Sequence, residues 1–340
     1  MKEQDEIKNP KSGDWEVGEF RPEDAEGMVK LFRSIYGEGY PIRLFYDPEA
    51  IVAANREGRY YSVVGRTASG EIIGATNLYP SAPYPGLYES GAGLILKAYR
   101  KSGMYRALMS YVFDELVPRK PQIEEIFGEL VCNHLMSQKL LEPFPCIETA
   151  IEIALMPAEA YTKEQSAFSR VATLDVFRCN VPKPHRIFLP RAYEEILRRM
   201  YDRLDDRRDI ALSDTPVLSE AVTRAEMKIF DFAGVARIAV QRIGSDFAAC
   251  ISGREVQARS KNAVVFQVSL NLAEPSVGSA VDILRKKGYF FGGVLPRWFD
   301  TDGLLLQKLD CPPDFEDIVL LSDFAKELLA FIREDRERIR

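Results

Sequence analysis

The chain has 340 residues, enough for two domains at roughly 100 to 200 residues each, and its 46% apolar and 28% charged content excludes collagen-like, low-complexity and largely disordered classes. A net charge of −6 supplies no positive field for a phosphate backbone or an anionic surface, so nucleic-acid and membrane partners are not expected. Five cysteines without a C-x-x-C pair and only two histidines, His134 and His185, argue against a disulfide framework or a metal centre. With no apolar leader or membrane-spanning run, a cytoplasmic location is expected.

Residues 1–14 are expected to be a flexible, charged N-terminus. Residues 15–21 alternate like a strand, and Pro22-Glu23-Asp24 then opens a helix whose apolar stripe is Met28, Leu31, Phe32 and Ile35. The stretch 36–47 mixes glycine, proline and aromatic residues as a ring-lined loop, before a second helix over 48–56. Strands at 60–66 and 72–79 are joined by a hairpin turn at 67–71. A strand of small and aliphatic residues, 90–96, leads through 97–106 into a helix with Met104, Leu108, Tyr111, Val112 and Leu116 on its buried face. A strand at 126–132, a short helix at 134–141 and a strand at 147–156 follow.

From about Glu164 the pattern restarts with a strand at 172–180, a proline-rich joint at 181–184 and a charged helix over 192–208. Further strands are expected at 235–242, 247–252 and 263–272, then a helix over 277–287 and strands at 289–295 and 304–309. The last stretch, 318–340, reads as a packed terminal helix with Leu321, Phe324, Leu328, Leu329 and Ile332 on one face.

The turn at 97–106 is the most informative part of the chain. A helix N-terminus presents unpaired N–H groups and a partial positive charge, so an anion there gains hydrogen bonds without needing cationic side chains. Gly103 allows close backbone approach, while Arg100, Lys101 and Arg106 add charge, which points to a phosphate ester; a solvated basic loop is the alternative. Gly91 and Gly93, inside the preceding strand, mark a bulge or relieve a crowded sheet face.

This window resembles the acetyl-CoA-binding motif of the GNAT superfamily of N-acetyltransferases, a strand leading into Arg/Gln-x-x-Gly-x-Gly/Ala at the head of a helix. Here it stands as Arg100-Lys101-Ser102-Gly103-Met104-Tyr105, with Tyr105 in place of the family's last small residue. The resemblance, which spans about residues 15–161, implies that amides of Ser102, Gly103, Met104, Tyr105 and Arg106 cradle the coenzyme A pyrophosphate. It also implies that pantetheine runs along Gly93, Leu94 and Ile95, and that a backbone N–H at Leu94 or Ile95 polarises the thioester. Ser137 and Gln138 would face the same cofactor. No metal is implied.

Glu89 is the expected base, directly or through water, with a surface carboxylate as the alternative. His134 stands near the family's cofactor-contacting Asn and is expected to move a proton or contact pantetheine, or else to cap a helix. The family's acidic Tyr, seven residues further on, is replaced by Leu141, which leaves His134, Tyr79, Tyr84 or water to protonate the thiolate. Tyr36, Tyr40 and Tyr46, with Phe45 and Tyr79, are expected to wall the acceptor site or simply to pack.

The fold implied is α/β (α+β), with two GNAT-like domains as in bacterial tandem members. Residues 15–163 would bind acetyl-CoA and 164–340 would be a degenerate copy, each a mixed, mostly antiparallel sheet flanked by helices. The second half lacks the motif, its glycine turns such as Gly244-Ser245 being read as not joining a strand to a helix. Walling the acceptor site, forming a homodimer and stabilising the first domain are the roles open to it, and residues 292–300 are its candidate patch. The expected activity is acetyl transfer from acetyl-CoA to the primary amine of a small molecule or peptide by direct attack, with a covalent route through Cys132 or Cys146 as a minor option. The competing expectation is a coenzyme-A-binding sensor without turnover.

Overall fold

The computed structural model describes residues 14–158, 169–214 and 220–339. The expected flexible N-terminus, save Asp14, and the expected domain boundary at 163/164 lie outside the described residues. The chain forms two compact units, residues up to 81 with 88–123, and 82–87 with 124 onward. Its architecture is mixed α/β, with mostly antiparallel sheet flanked by helices.

In the first unit β1 (Trp15–Glu19), β2 (Tyr61–Thr67), β3 (Ile72–Pro80) and β4 (Leu87–Ile95) pair antiparallel in that order. One face packs on α1 (Ala25–Tyr36), whose Met28, Leu31 and Phe32 join Phe45, Ile51, Val64, Ala75 and Leu94 in a buried core. α2 (Pro48–Arg56) starts at Pro48 because the Asp47 carboxylate accepts the N–H groups of Glu49 and Ala50 at 3.0 and 3.2 Å. Gly65 and Gly74 face each other across β2 and β3. Their missing side chains leave room for buried Met104 of α3 (Met104–Ser110), whose sulfur a Cβ on Gly65 would overlap. A buried ion pair of Arg66 with Asp24 ties β2 to the start of α1, and Arg66 Nη2 also donates to the Glu19 carbonyl at 2.6 Å.

In the second unit the elements are β5 (Glu125–Val131), α4 (Met136–Leu141), β6 (Ile147–Met156), β7 (Val171–Cys179), β8 (His185–Leu189), α5 (Glu194–Tyr201), β9 (Arg208–Leu212) and β10 (Arg224–Phe230). Next come β11 (Val235–Arg242), α6 (Phe247–Arg259), β12 (Val265–Asn271), α7 (Val277–Lys286), β13 (Phe290–Leu295), β14 (Gly303–Leu309) and α8 (Asp323–Arg338). The main sheet runs β5-β7-β6-β13-β14-β12-β11-β10, and β8 and β9 form a small parallel pair. The sheet contains one connectivity twice. β5-α4-β6-β7 inserts its last strand between its first two, and β12-α7-β13-β14 does the same. In the second of these modules a parallel strand, β11, precedes β12 through α6.

The two modules meet where β6 pairs with β13, at Ala150 opposite Gly293. Gly293 has φ +141°, and a Cβ there would overlap the Thr149 carbonyl oxygen and the Ala150 Cα, so the seam requires glycine. Gln307, fully buried, stitches the same seam: its Nε2 donates to the Ile151 and Phe291 carbonyls at 2.9 and 3.2 Å, and its Oε1 accepts from Ile153 N–H at 2.8 Å.

Several elements differ from the sequence expectation. Residues 247–252, expected as a strand, form the first half of α6, because the buried positions Phe247, Ile251, Glu255 and Ala258 recur at helical spacing that a six-residue apolar run does not reveal. The expected helix over 192–208 ends at Tyr201, and its charged tail leads into β9. β8, β9 and β10 were not expected. β7, placed with the second half by sequence, lies between β5 and β6.

The chain has two tryptophans, Trp15 in the first unit and Trp298 in the second, so each can report on its own unit. With Trp15 replaced by Phe, Gly293→Ala should lower the stability read from Trp298 fluorescence in denaturant by about 2 kcal/mol or more.

Candidate functional site

β4 is bulged at its centre. Gly91 pairs with Asn77 and Leu94 with Ala75, so Ala92 and Gly93 together oppose Thr76. Ala92 sits at φ +49°, and the bulge is held by Asn77, which has no solvent exposure. Asn77 Nδ2 donates to the Ala92 carbonyl at 3.1 Å, while its Oδ1 accepts from the Ser62 hydroxyl at 2.6 Å.

On the N-terminal side of the bulge, Tyr79 stands opposite Glu89 and its hydroxyl donates to Glu89 Oε1 at 2.6 Å. Gly91 makes this possible, since a Cβ there would overlap the Tyr79 hydroxyl and lie 2.9 Å from Glu89 Oε1. A run of rings leads from this pair into the core. Tyr79 stacks on Tyr60 (centroids 4.9 Å), Tyr60 meets Phe45 edge-on (5.7 Å), and Phe45 stacks on Phe32 (4.1 Å). Tyr40 tilts against Phe32 at 5.1 Å, and Tyr36 against Tyr40 at 4.8 Å. Burial pushes the Tyr40 hydroxyl far above its ordinary value, with Tyr36 and the Glu89 carboxylate adding to the rise; burial and Glu89 raise Tyr60 as well. Glu89 therefore lies among phenols that stay neutral, beside ring faces, a setting that suits a cationic or amine group. Tyr36, Tyr40 and Tyr79 come together as expected from sequence. The Tyr46 hydroxyl accepts the Tyr40 N–H at 2.8 Å and so shapes the loop. Tyr60 was missed, although the expected hairpin of 60–66 with 72–79 sets its first residue against Tyr79, its last.

On the C-terminal side, Leu96 N–H donates to the Ile73 carbonyl at 2.9 Å, so by alternation the N–H and C=O of Ile95 project from the opposite edge of β4. Arg100 Nε reaches that Ile95 carbonyl at 3.4 Å. A single 3₁₀ turn over Lys97–Tyr99 follows, and Ser102 Oγ donates to the Tyr99 carbonyl at 2.8 Å. Gly103, at φ +83°, then starts α3, and no atom lies within 4 Å of where its Cβ would be. The helix start is thus open in front of a glycine, with Arg100, Lys101 and Arg106 exposed around it, Tyr105 half-buried and Met104 buried as the anchor. This donor set fits a diphosphate.

The remaining expected residues belong to the second unit. His134 Nδ1 accepts the Met136 N–H at 3.3 Å and so caps α4. Ser137 Oγ donates to the Val131 carbonyl at 3.4 Å. Gln138, expected at the cofactor, is buried with both ends of its amide engaged, Nε2 on the Val319 carbonyl at 2.9 Å and Oε1 on Leu321 N–H at 2.8 Å. Tyr84 donates to Glu124 at 2.7 Å, and burial with that bond pushes its hydroxyl up to about 12, which removes it as a ready acid. Burial pushes the Cys132 thiol up and takes Cys146 to about 11, against a thiolate at either position. Residues 292–300 are the end of β13 and the first part of its connection to β14, around Arg297, which is fully buried and paired with Glu124 and Asp300, so the patch is structural. Among the described residues no group of three or more His, Cys, Asp or Glu is placed to hold a metal ion, and no helix is long and apolar enough to cross a membrane.

One turn of the second unit corrects the sequence reading. Gly244-Ser245 does join a strand, β11, to a long helix, α6. That helix start is filled by the chain itself. Ser245 N–H donates to the Ala221 carbonyl at 3.2 Å, Gly244 N–H to Thr223 Oγ1 at 3.0 Å, and Thr223 N–H to Asp246 Oδ1 at 2.7 Å. The Thr223 hydrogen bonds hold the Asp246 carboxyl below its ordinary value, so an anion already occupies the position a phosphate would take.

No family model matches the chain, and no curated protein matches its sequence. Solved structures similar to it include the ribosomal-protein-S5-alanine acetyltransferase of Vibrio fischeri, with 16% identity over 50% of this chain and 95% of that one at a TM-score of 0.40. The ribosomal-protein-alanine N-acetyltransferase of Brucella melitensis gives 14%, 48%, 99% and 0.39 on the same measures. The phosphinothricin acetyltransferase of Sinorhizobium meliloti, a GNAT superfamily member in complex with acetyl-CoA, gives 18%, 49%, 88% and 0.37. At such scores these likenesses add nothing to what the residues themselves argue.

With Trp298 replaced by Phe, so that Trp15 reports on the first unit, Asn77→Ala should lower stability by about 1–3 kcal/mol, because it strands the Ala92 carbonyl and the Ser62 hydroxyl.

Proposed function

We propose that the first unit binds acetyl-CoA and serves transfer of its acetyl group to a primary amine. The observation that carries this reading is the bulge at Ala92 and Gly93 followed, within one short turn, by the open, basic, glycine-led start of α3. The resemblance of Arg100-Lys101-Ser102-Gly103 to the GNAT motif supports the identity of the ligand. The amides of Gly103 to Arg106 would hold the pyrophosphate, the Ser102 N–H being taken by the Tyr99 carbonyl at 3.1 Å, with Arg100, Lys101 and Arg106 balancing its charge. Acetyl-CoA supplies the activated thioester.

The chain's own residues do the rest. Ile95 directs its N–H away from β3, where it serves as the preorganised donor to a developing oxyanion. Glu89, oriented by the Tyr79 hydroxyl, accepts a proton from the incoming ammonium, directly or through water, and leaves the nitrogen lone pair free to attack; the carbon–sulfur bond then breaks, and the thiolate leaves with the second nitrogen proton, passed through water. Tyr36, Tyr40 and Tyr60 hold the amine beside Glu89. The acceptor is an amine whose neighbouring groups tolerate an aromatic wall.

The repeated module supports reading the second half as a degenerate GNAT copy that holds no coenzyme A, since Asp246 and residues 221–223 fill its helix start. We place the boundary between the copies at the joint 181–184, because β7 completes the first copy's strand order. A reading without turnover is favoured by one observation: Leu141, buried, stands where the family's proton donor would be.

Isothermal titration should show acetyl-CoA and free coenzyme A binding to the wild type and not to folded Gly103→Glu. Glu89→Gln should retain binding and lower kcat by about 10²–10⁴-fold on a responsive amine. Normal turnover by Glu89→Gln would remove Glu89 as the base. Binding with no transfer to any of a broad panel of amines would favour the sensor, and no binding by folded wild type would overturn the reading.

A further inference from the structure

β10 ends the second unit's sheet: it pairs with β11, and among the described residues no strand pairs with its other edge. An unpaired edge is a template for another strand, and β10 lacks the proline that commonly guards one. Its one irregularity against β11 lies at the Arg224–Ala225 end. Its sequence is Arg224-Ala225-Glu226-Met227-Lys228-Ile229-Phe230. Arg224, Glu226 and Lys228 are exposed on one face, while Ala225, Met227 and Ile229 alternate onto the other. Beside that second face a groove of about 450 Å³ is lined by Met227 together with Ala249, Cys250, Gly253, Arg254 and Gln257 of α6.

We infer that β10 pairs antiparallel with β10 of a second copy of this chain, about a two-fold axis through Met227. The strand is complementary to itself in that register. Glu226 faces Lys228 of the second copy, and Lys228 faces its Glu226, which makes two symmetric ion pairs. Arg224 faces Phe230, a cation over a ring, and Ala225 faces Ile229 on the groove side. Two large apolar side chains flank the strand, Val222 before it and Phe232 in the turn after it, 67% and 53% exposed. Charge selects this axis over its neighbours. An axis at Glu226 would oppose Glu226 to itself and Arg224 to Lys228, and an axis at Lys228 would oppose Lys228 to itself. Arg254 of α6 donates to the Ala225 carbonyl, and Val256 is exposed on the same helix.

Sedimentation equilibrium of the full chain tests this. The wild type should be dimeric, and Glu226→Lys and Lys228→Glu should each raise the dissociation constant at least about tenfold by setting like charges opposite. The two single variants, mixed in equal amounts, should recover a heterodimer, because every facing pair is then of opposite sign, and the double exchange should restore the homodimer. A wild type that stays monomeric at roughly 100 μM would overturn the proposal. So would a dimer indifferent to both reversals, or single variants that weaken the dimer and do not recover it on mixing.

Discussion

The hydrogen bonds of one buried amide, Asn77, set the geometry of the first unit. A regular strand would put Glu89 and Leu94, five residues apart, on opposite faces of the sheet. The bulge that Asn77 holds at Ala92 shifts the alternation by one. Glu89 then meets the tyrosines above α1 while Leu94 packs into the core beneath the same helix. The shift also fixes which way β4 leaves the sheet: Leu96 still bonds to β3, Ile95 turns its polar groups to the other edge, and the basic turn follows at once. Gly91, with no side chain, lets Tyr79 and Glu89 meet in the space the bulge creates.

The two halves of the chain use the start of a helix in opposite ways. α3 begins behind Gly103, with open space in front and cations around it. α6 begins behind Gly244, and there residues 221–223 press so closely that a Cβ would lie 2.5 Å from the Thr223 nitrogen, while Asp246 supplies the negative charge. The same partial charge at a helix N-terminus stands behind open space in one case and is satisfied internally in the other. Sequence alone separates the two only in part, because both turns contain glycine.

What was legible in the sequence was local. Asp47-Pro48 marks the start of α2, Gly91 and Gly93 mark the bulge, and Gly103 with its basic neighbours marks the turn, because each of these rests on the conformational limits of residues adjacent in the chain. What was not legible depends on partners far away in sequence. Nothing in 171–179 says that β7 inserts between β5 and β6, and Gln138, expected at the cofactor, has its amide bound by residues 319–321, far away in the chain. Arg297, inside the candidate patch 292–300, is buried because Glu124 and Asp300 converge on it.

The claim on which the functional account rests is that the edge of β4 and the start of α3 form one seat for acetyl-CoA. Residue-resolved hydrogen exchange with and without acetyl-CoA tests it directly. Slowed exchange at Ile95 and over Gly103 to Arg106, with the amides of Gly244 to Phe247 unchanged, is the result this account predicts. Protection at the α6 start in place of the α3 start, or none at either, would contradict it.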